Sequence, residues 1–283
     1  MSERYPVKGA GLGLRRALLK SLKDQAPEQI GFMEAVPENW IGVGGRLGKR
    51  FRAFTERYPF VAHGLSLSIG GVEPIDVEFV KQVRSFLDQH NIRAYTDHLT
   101  YCSDGGHLYD LMPIPFTSDA VRHVADRIRQ VEDILERPFA IENASYYAAP
   151  GMEMTEIEFV NAVLEEADCG LLLDVNNIYV NSINHRYDAE EFLTALPAER
   201  VVYFHVAGHY VEAEDLRVDT HAAPVIDPVW QLLDKAYEHC GVVPTLLERD
   251  FNIPPLADLL SEMDVIIELQ KKWSQPAAQV SHG

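Results

Sequence analysis

A single-domain (β/α)8 barrel of the TIM type is the fold this sequence predicts, and three observations carry the prediction. Short apolar runs alternate with amphipathic helical patterns along the whole chain, eight times over. Eight such units in roughly 265 residues match the count and length of a closed parallel barrel with right-handed crossovers. Neither a GxGxxG turn ahead of a helix nor a P-loop is present, which weighs against an open, doubly wound nucleotide-binding sheet. No linker or repeat divides the chain. The barrel domain is therefore expected to span 1–273, with 274–283 (SQPAAQVSHG) a disordered tail.

Each element has its own signal. The first apolar run is Gly9–Arg15, followed by an amphipathic stretch over Ala17–Lys23. The second is Gln29–Val36, with a helix from about Arg46 to Tyr58. Phe60–Ser68 is the third; the helix Asp76–His90 behind it buries Phe79, Val80, Val83, Phe86 and Leu87 at spacings of three and four. Ile92–Leu99 is the fourth, and a long loop separates it from a helix over Val121–Leu135. Phe139–Ser145 is the fifth, and Thr155-x-x-Glu158 reads as a capping box for the helix Glu156–Ala167. The sixth, Gly170–Tyr179, is an apolar run ending in Asp174, Asn176 and Asn177, followed by a polar loop over Val180–Tyr187 and a short helix, Ala189–Leu196. Val201–Gly208 and Val243–Asp250 complete the eight, with helices over Pro228–His239 and about Pro255–Trp273.

Composition narrows the function. Forty-three acidic residues against 25 basic give a formal charge of −18. Such a field repels phosphate backbones and anionic membrane surfaces, and no basic patch offsets it, so neither nucleic acid nor membrane is an expected partner. Cys102, Cys169 and Cys240 are too few and too scattered for a disulfide framework or a CxxC metal knuckle. With no apolar segment of signal-peptide or membrane-spanning type, the expectation is a cytoplasmic protein.

The chemistry is expected where barrels place it, at the C-terminal ends of the strands. There the successive runs deliver His63, His98, Glu142, Asp174, His205 and Glu248, and Asp219-Thr220-His221 follows in the loop after the seventh. Residues two apart in an extended segment point the same way, so Asp219 and His221 can chelate one ion. Each residue alone has an ordinary explanation, as a satisfied core histidine, a buried ion-pair partner or a surface dipeptide. Six strand ends in succession do not share one. Three imidazoles and three carboxylates converging on one mouth would repel or stay unsatisfied without cations, and a nitrogen and oxygen donor set lacking thiolate suits iron, zinc or manganese. Asp250, two residues beyond Glu248, faces the same side as a candidate for proton transfer. His209 lies near the mouth, and Asn143 and Tyr146 are candidate pocket residues. His90, His123 and His239 are expected to be solvated, and His107, His185 and His282 to lie in surface loops or the tail.

The ligand order resembles that of the xylose-isomerase-like barrels with three metals, such as the AP-endonuclease type. More closely, the segments FMEAVPENW, VAHGLSLSIGG, DHLTY, GGHLYDLMPIPFT, IENAS, LLLDVNNIYVNS and FHVAGH resemble the multinuclear non-haem iron-dependent oxidative enzymes, which include a methanobactin-biosynthesis enzyme. The resemblance runs from about Gly9 to Trp273. It implies two or three iron ions, with Glu142 bridging two of them. His63 and His98 would complete one, Asp174, His205 and Glu248 the second, and Asp219 and His221 a third with an amide from the sixth run. In the endonuclease-type pattern a histidine stands where Asn177 stands here, and that departure and the −18 charge both argue against the endonuclease. The implied reaction is O2-driven oxidation of a cysteine in a ribosomally made precursor peptide, which a separate partner protein recognises. Two alternatives stay open at this point: a divalent-metal sugar isomerase or phosphodiester hydrolase on the same barrel, and a metal-binding scaffold without enzymatic activity.

Overall fold

A computed structural model describes residues 4–148 and 151–274. Eight parallel strands close a barrel: β1 (Ala10–Gly13), β2 (Phe32–Ala35), β3 (Phe60–His63), β4 (Tyr95–His98), β5 (Phe139–Glu142), β6 (Gly170–Asp174), β7 (Val201–Val206) and β8 (Thr245–Leu247). Every strand pairs with its sequence neighbours, and β1 meets β8 with Ala10 opposite Thr245. Nine helices lie among the described residues: α1 (Leu19–Gln25), α2 (Gly45–Thr55), α3 (Val77–His90), α4 (Ser118–Leu135), α5 (Glu156–Ala167), α6 (Val175–His185), α7 (Ala189–Thr194), α8 (Asp227–Cys240) and α9 (Leu256–Ser274). The predicted tail beyond Ser274 lies outside the described residues.

The period of two along each strand divides the core. One face of each strand packs on the helices, in a continuous cluster that includes Met33, Ala62, Ile141, Leu173 and Phe204. The other face fills the barrel, where Val7, Phe32, Val61, Leu172, Tyr203 and Leu246 form a separate apolar plug. Two residues further along the same strands stand Glu34, His63, Asp174, His205 and Glu248, all buried. The plug thus forms the floor of a polar layer. Gly11 makes room for it: a Cβ there would lie 2.4 Å from the Phe32 ring.

Three expectations are corrected. The sixth strand ends at Asp174, not Tyr179, and the helix α6 begins at the next residue and takes in most of the expected polar loop. Asp174 is its N-cap, accepting from the Asn177 amide at 2.6 Å, so one carboxylate ends the strand and starts the helix. The loops after β4 and β7 each contain an antiparallel hairpin, Tyr101–Ser103 with His107–Met112 and Tyr210–Ala213 with Leu216–Val218. Among the histidines expected in solvent or surface loops, His90 packs on Phe51 and Phe86, His185 stacks on Tyr146 and His239 bonds to the Leu196 carbonyl, whereas His107 and His123 are exposed as expected, His123 also reaching the Gly71 carbonyl. The Thr155–Glu158 capping box forms as expected.

Candidate metal centre

Among the expected ligands, His63, His98, Glu142, Asp174, His205, His221 and Glu248 meet at the mouth. Glu142 Oε2 lies 2.9 Å from His63 Nε2 and 3.1 Å from His98 Nε2, and the two imidazole nitrogens are 3.2 Å apart. On the other side His205 Nδ1 lies 2.9 Å from Glu248 Oε2, 3.7 Å from Glu142 Oε1 and 3.9 Å from Asp174 Oδ2. Two donor sets of three, His63–His98–Glu142 and Glu142–Asp174–His205, therefore share Glu142, and a further set is formed by Asp174, His221 and Glu248. His221 Nε2 is 2.7 Å from Asp219 Oδ1, as the x-spaced pair requires.

The donors fit cations better than they fit each other. Glu142 Oε2, Asp174 Oδ2, His205 Nδ1 and His221 Nε2 are buried atoms without a hydrogen-bond partner. Their short mutual distances lack hydrogen-bond alignment, as lone pairs aimed at a common point would. Burial and the Glu142 charge push the Asp174 carboxyl up to about 8. Burial pulls the His98 imidazole down, but Glu142, Asp97 and Glu248 outweigh it and raise it to about 9. His205 and His221 are held well above the ordinary imidazole range, because neighbouring carboxylates overcome their desolvation. Lacking a cation, the site would gather protons instead; a metal replaces them.

Neighbouring residues fix these donors. Asn143 forms a two-point pair with the Asp174 backbone, accepting from its amide and donating to its carbonyl, both at 2.9 Å. It is a brace for Asp174 and does not line the mouth cavity. The Asn177 amide is engaged on both sides, accepting from Ser145 Oγ at 2.7 Å and donating to the Asn143 carbonyl at 3.1 Å. Asn176 donates to Asp219 Oδ1 and takes His209 Nδ1 at its oxygen, so His209 braces Asp219 through an amide. Tyr146 stacks on His185, away from the ligands.

Two residues that hold these donors were not among the expected ones. Glu34 is fully buried in β2 and bonds to His205 Nε2 at 2.8 Å. Its signal was the one that marked Glu142, a carboxylate near the end of an apolar strand. Arg15, two residues past β1, donates through Nε to Asp250 Oδ1 at 2.9 Å and through Nη2 to Glu248 Oε1 at 3.2 Å. Burial and the Glu248 charge raise the Asp250 carboxyl, but His221 and Arg15 prevail and hold it below the usual range.

Above this layer opens a cavity of about 690 Å3, lined by His98, Asn177, Asp219, His221 and Asp250 at its base. Leu65, Tyr109, Met112, Tyr147 and Phe251 form its exposed apolar rim.

Residues 9–271 match the family described as RiPP precursor modification enzyme MbnB/TglH/ChrH. The chain belongs to this family. Relatives include a UPF0276 protein of Alcanivorax borkumensis, 64% identical over 98% of this chain and 96% of that one. A UPF0276 protein of Shewanella sediminis is 63% identical over 95% of this chain and 96% of that one. Among solved structures, a 3-keto-D-glucoside 4-epimerase from E. coli superposes with a TM-score of 0.61 at 12% identity, over 93% of this chain and all of that one. Endonuclease IV from Thermus thermophilus does so at 0.57 and 13%, over 94% and 99%. At such identities these two establish the shared barrel alone. Membership of the RiPP precursor modification family makes this chain an enzyme type that acts on ribosomally made peptides. None of the described helices is long and apolar enough to cross a membrane.

Proposed function

We propose that this chain is a multinuclear iron-dependent oxidase or oxygenase that modifies cysteine residues of a ribosomally made precursor peptide with O2. The observation that carries the reading is the pair of buried donor sets sharing Glu142, at the base of an open cavity, in a chain of the RiPP precursor modification family. His63 and His98 with Glu142 would hold one ion, and Asp174, His205 and Glu248 with Glu142 a second. Asp219 and His221, beside Asn177, would hold a third. With both amide faces of Asn177 already bonded, that third position is the weakest of the three. Iron in these positions supplies the redox chemistry with O2; zinc or manganese would favour the hydrolytic or isomerising chemistry of other barrels.

The chain's own residues supply the rest. The apolar rim receives the peptide and excludes water around the reacting cysteine. Asp250, kept ionised by Arg15 and His221 and partly open to the cavity, accepts the proton that the cysteine thiol gives up. Compactness into one barrel leaves no separate peptide-recognition module among the described residues, which supports a partner polypeptide that presents the precursor. The test is mass spectrometry of a cysteine-containing precursor after incubation with O2, the partner and anaerobically iron-loaded protein. A mass change confined to the cysteine is expected; an unmodified peptide with zinc-loaded protein active on a phosphodiester or sugar would reject the reading.

A further inference from the structure

A chain of hydrogen bonds crosses the barrel beneath the metal-facing layer and joins its two halves. His63 Nδ1 lies 2.8 Å from Thr96 Oγ1, Thr96 Oγ1 lies 3.0 Å from the Tyr203 hydroxyl, and Tyr203 donates to Glu34 Oε2 at 2.8 Å. His205 Nε2 meets the same Glu34 oxygen at 2.8 Å. Every group is buried: Glu34, Thr96, Tyr203 and His205 are 0% exposed and His63 is 3% exposed.

One arrangement of protons satisfies every contact of this chain. The carboxylate of Glu34 only accepts, so the single Tyr203 proton and the His205 Nε2 proton both point at it. Tyr203 must then accept from Thr96 at 3.0 Å, a shorter contact than the 3.5 Å to the Ala62 carbonyl that the same proton could serve. Thr96 in turn must accept from His63, which places a proton on His63 Nδ1. In the neutral rings that a metal would need, the lone pairs left over are His63 Nε2 and His205 Nδ1. Those are the two nitrogens that face Glu142, the first at 2.9 Å and the second at 3.7 Å. Glu34, His205 and Glu248 also lie close enough to share an ion, but the His205 Nε2–Glu34 contact has the alignment of a hydrogen bond.

We infer that Glu34, through Tyr203 and Thr96, sets the tautomer of both His63 and His205, so that one buried carboxylate prepares an imidazole in each of two metal positions. Glu34, Tyr203 and Thr96 are positioning residues; none reaches the reacting atoms. A carboxylate behind a metal-binding histidine usually orients one ring. Here a tyrosine and a threonine carry the same instruction across the barrel to a second. This inference rests on the metal-centre reading of the site, and its first measurement needs no metal.

Nitrogen-15 NMR of the full-length, metal-free protein reads the tautomer directly. The proton on His63 is expected on Nδ1 in wild type, and its loss from that position is expected in Tyr203→Phe, where Thr96 becomes free to donate to His63. Titration with iron(II) under nitrogen then reads the two sites. Tyr203→Phe should weaken binding at the His63–His98–Glu142 position about 10–100-fold and leave the His205 position within about twofold, whereas Glu34→Gln should weaken both. Thr96→Ser should behave as wild type and Thr96→Val as Tyr203→Phe, which keeps the test alive if one variant fails to fold. A His63 proton on Nε2 in wild type, or equal losses at both positions in Tyr203→Phe, would overturn the inference. If the tautomers are as expected but no iron binds, the metal reading fails and the hydrogen-bond chain stands.

Discussion

Replacing Glu142 by Gln should empty two metal positions while leaving the barrel folded. Glu142 is 1% exposed, and its carboxylate lies within 3.7 Å of three imidazoles, so it touches donors from both sets. An amide keeps the shape but removes the charge and one of the two acceptor oxygens. Losing a partner of a metal ligand costs 10–100-fold in affinity, and losing a shared ligand itself should cost at least ~100-fold at each position, or about 2.7 kcal/mol per ion. The cost to folding is smaller. Glu142 ends its strand above the apolar plug, and the metal-free variant no longer gathers a carboxylate against Asp174. A thermal midpoint within about 5 °C of the metal-free wild type is therefore expected, with unchanged far-ultraviolet circular dichroism. The assay is metal analysis after anaerobic reconstitution with iron(II) and desalting. Iron in Glu142→Gln at the wild-type ratio would contradict this, because it would show that neither of the two sets depends on the carboxylate they share.

Two further outcomes follow from the same geometry. Glu156 is buried against Tyr146, Tyr187 and Asn181, and burial pushes its carboxyl up to about 7 from an ordinary 4.5. Below about pH 4.5 it is protonated folded or unfolded; between 4.5 and 7 only the unfolded chain ionises, so wild type loses up to ~3 kcal/mol as pH rises through that window. Glu156→Gln should remove this loss, and thermal melts at pH 5 and pH 8 check it; an unchanged difference between the two pH values would contradict the assignment. At the cavity rim, Phe251→Ser and Tyr109→Ala should raise KM for the precursor roughly 10-fold with metal content unchanged. Steady-state kinetics with metal analysis of the same sample decides, and a loss of kcat alone would move those side chains from peptide binding to the chemistry.

Most of the barrel was legible because each unit repeats one physical pattern. A short apolar run needs two buried faces, and the helix behind it shows the complementary stripe, as at Val80, Val83 and Leu87. The ligands were legible because carboxylates and imidazoles at the ends of such runs are costly to bury without a partner. The sixth unit misled for a local reason. VNNIYVNSINH is rich in residues of middling helix propensity, and only the Asp174 cap and tertiary packing make it helical. Glu34 carried the same strand-end carboxylate signal as Glu142, but nothing in FMEA says that His205 lies across the barrel from it. Arg15 was missed for the same reason, since its partners Glu248 and Asp250 stand more than 230 residues away. The two hairpins hid in loops whose strands are short and largely exposed, so they carry no buried face to announce them.

Anomalous scattering at the iron edge, from crystals grown without oxygen, would locate the metals themselves. Two strong peaks should flank Glu142, one against His63 and His98 and the other against Asp174, His205 and Glu248, with a weaker third beside Asp219 and His221. A single peak, or peaks none of which touches Glu142, would contradict the account.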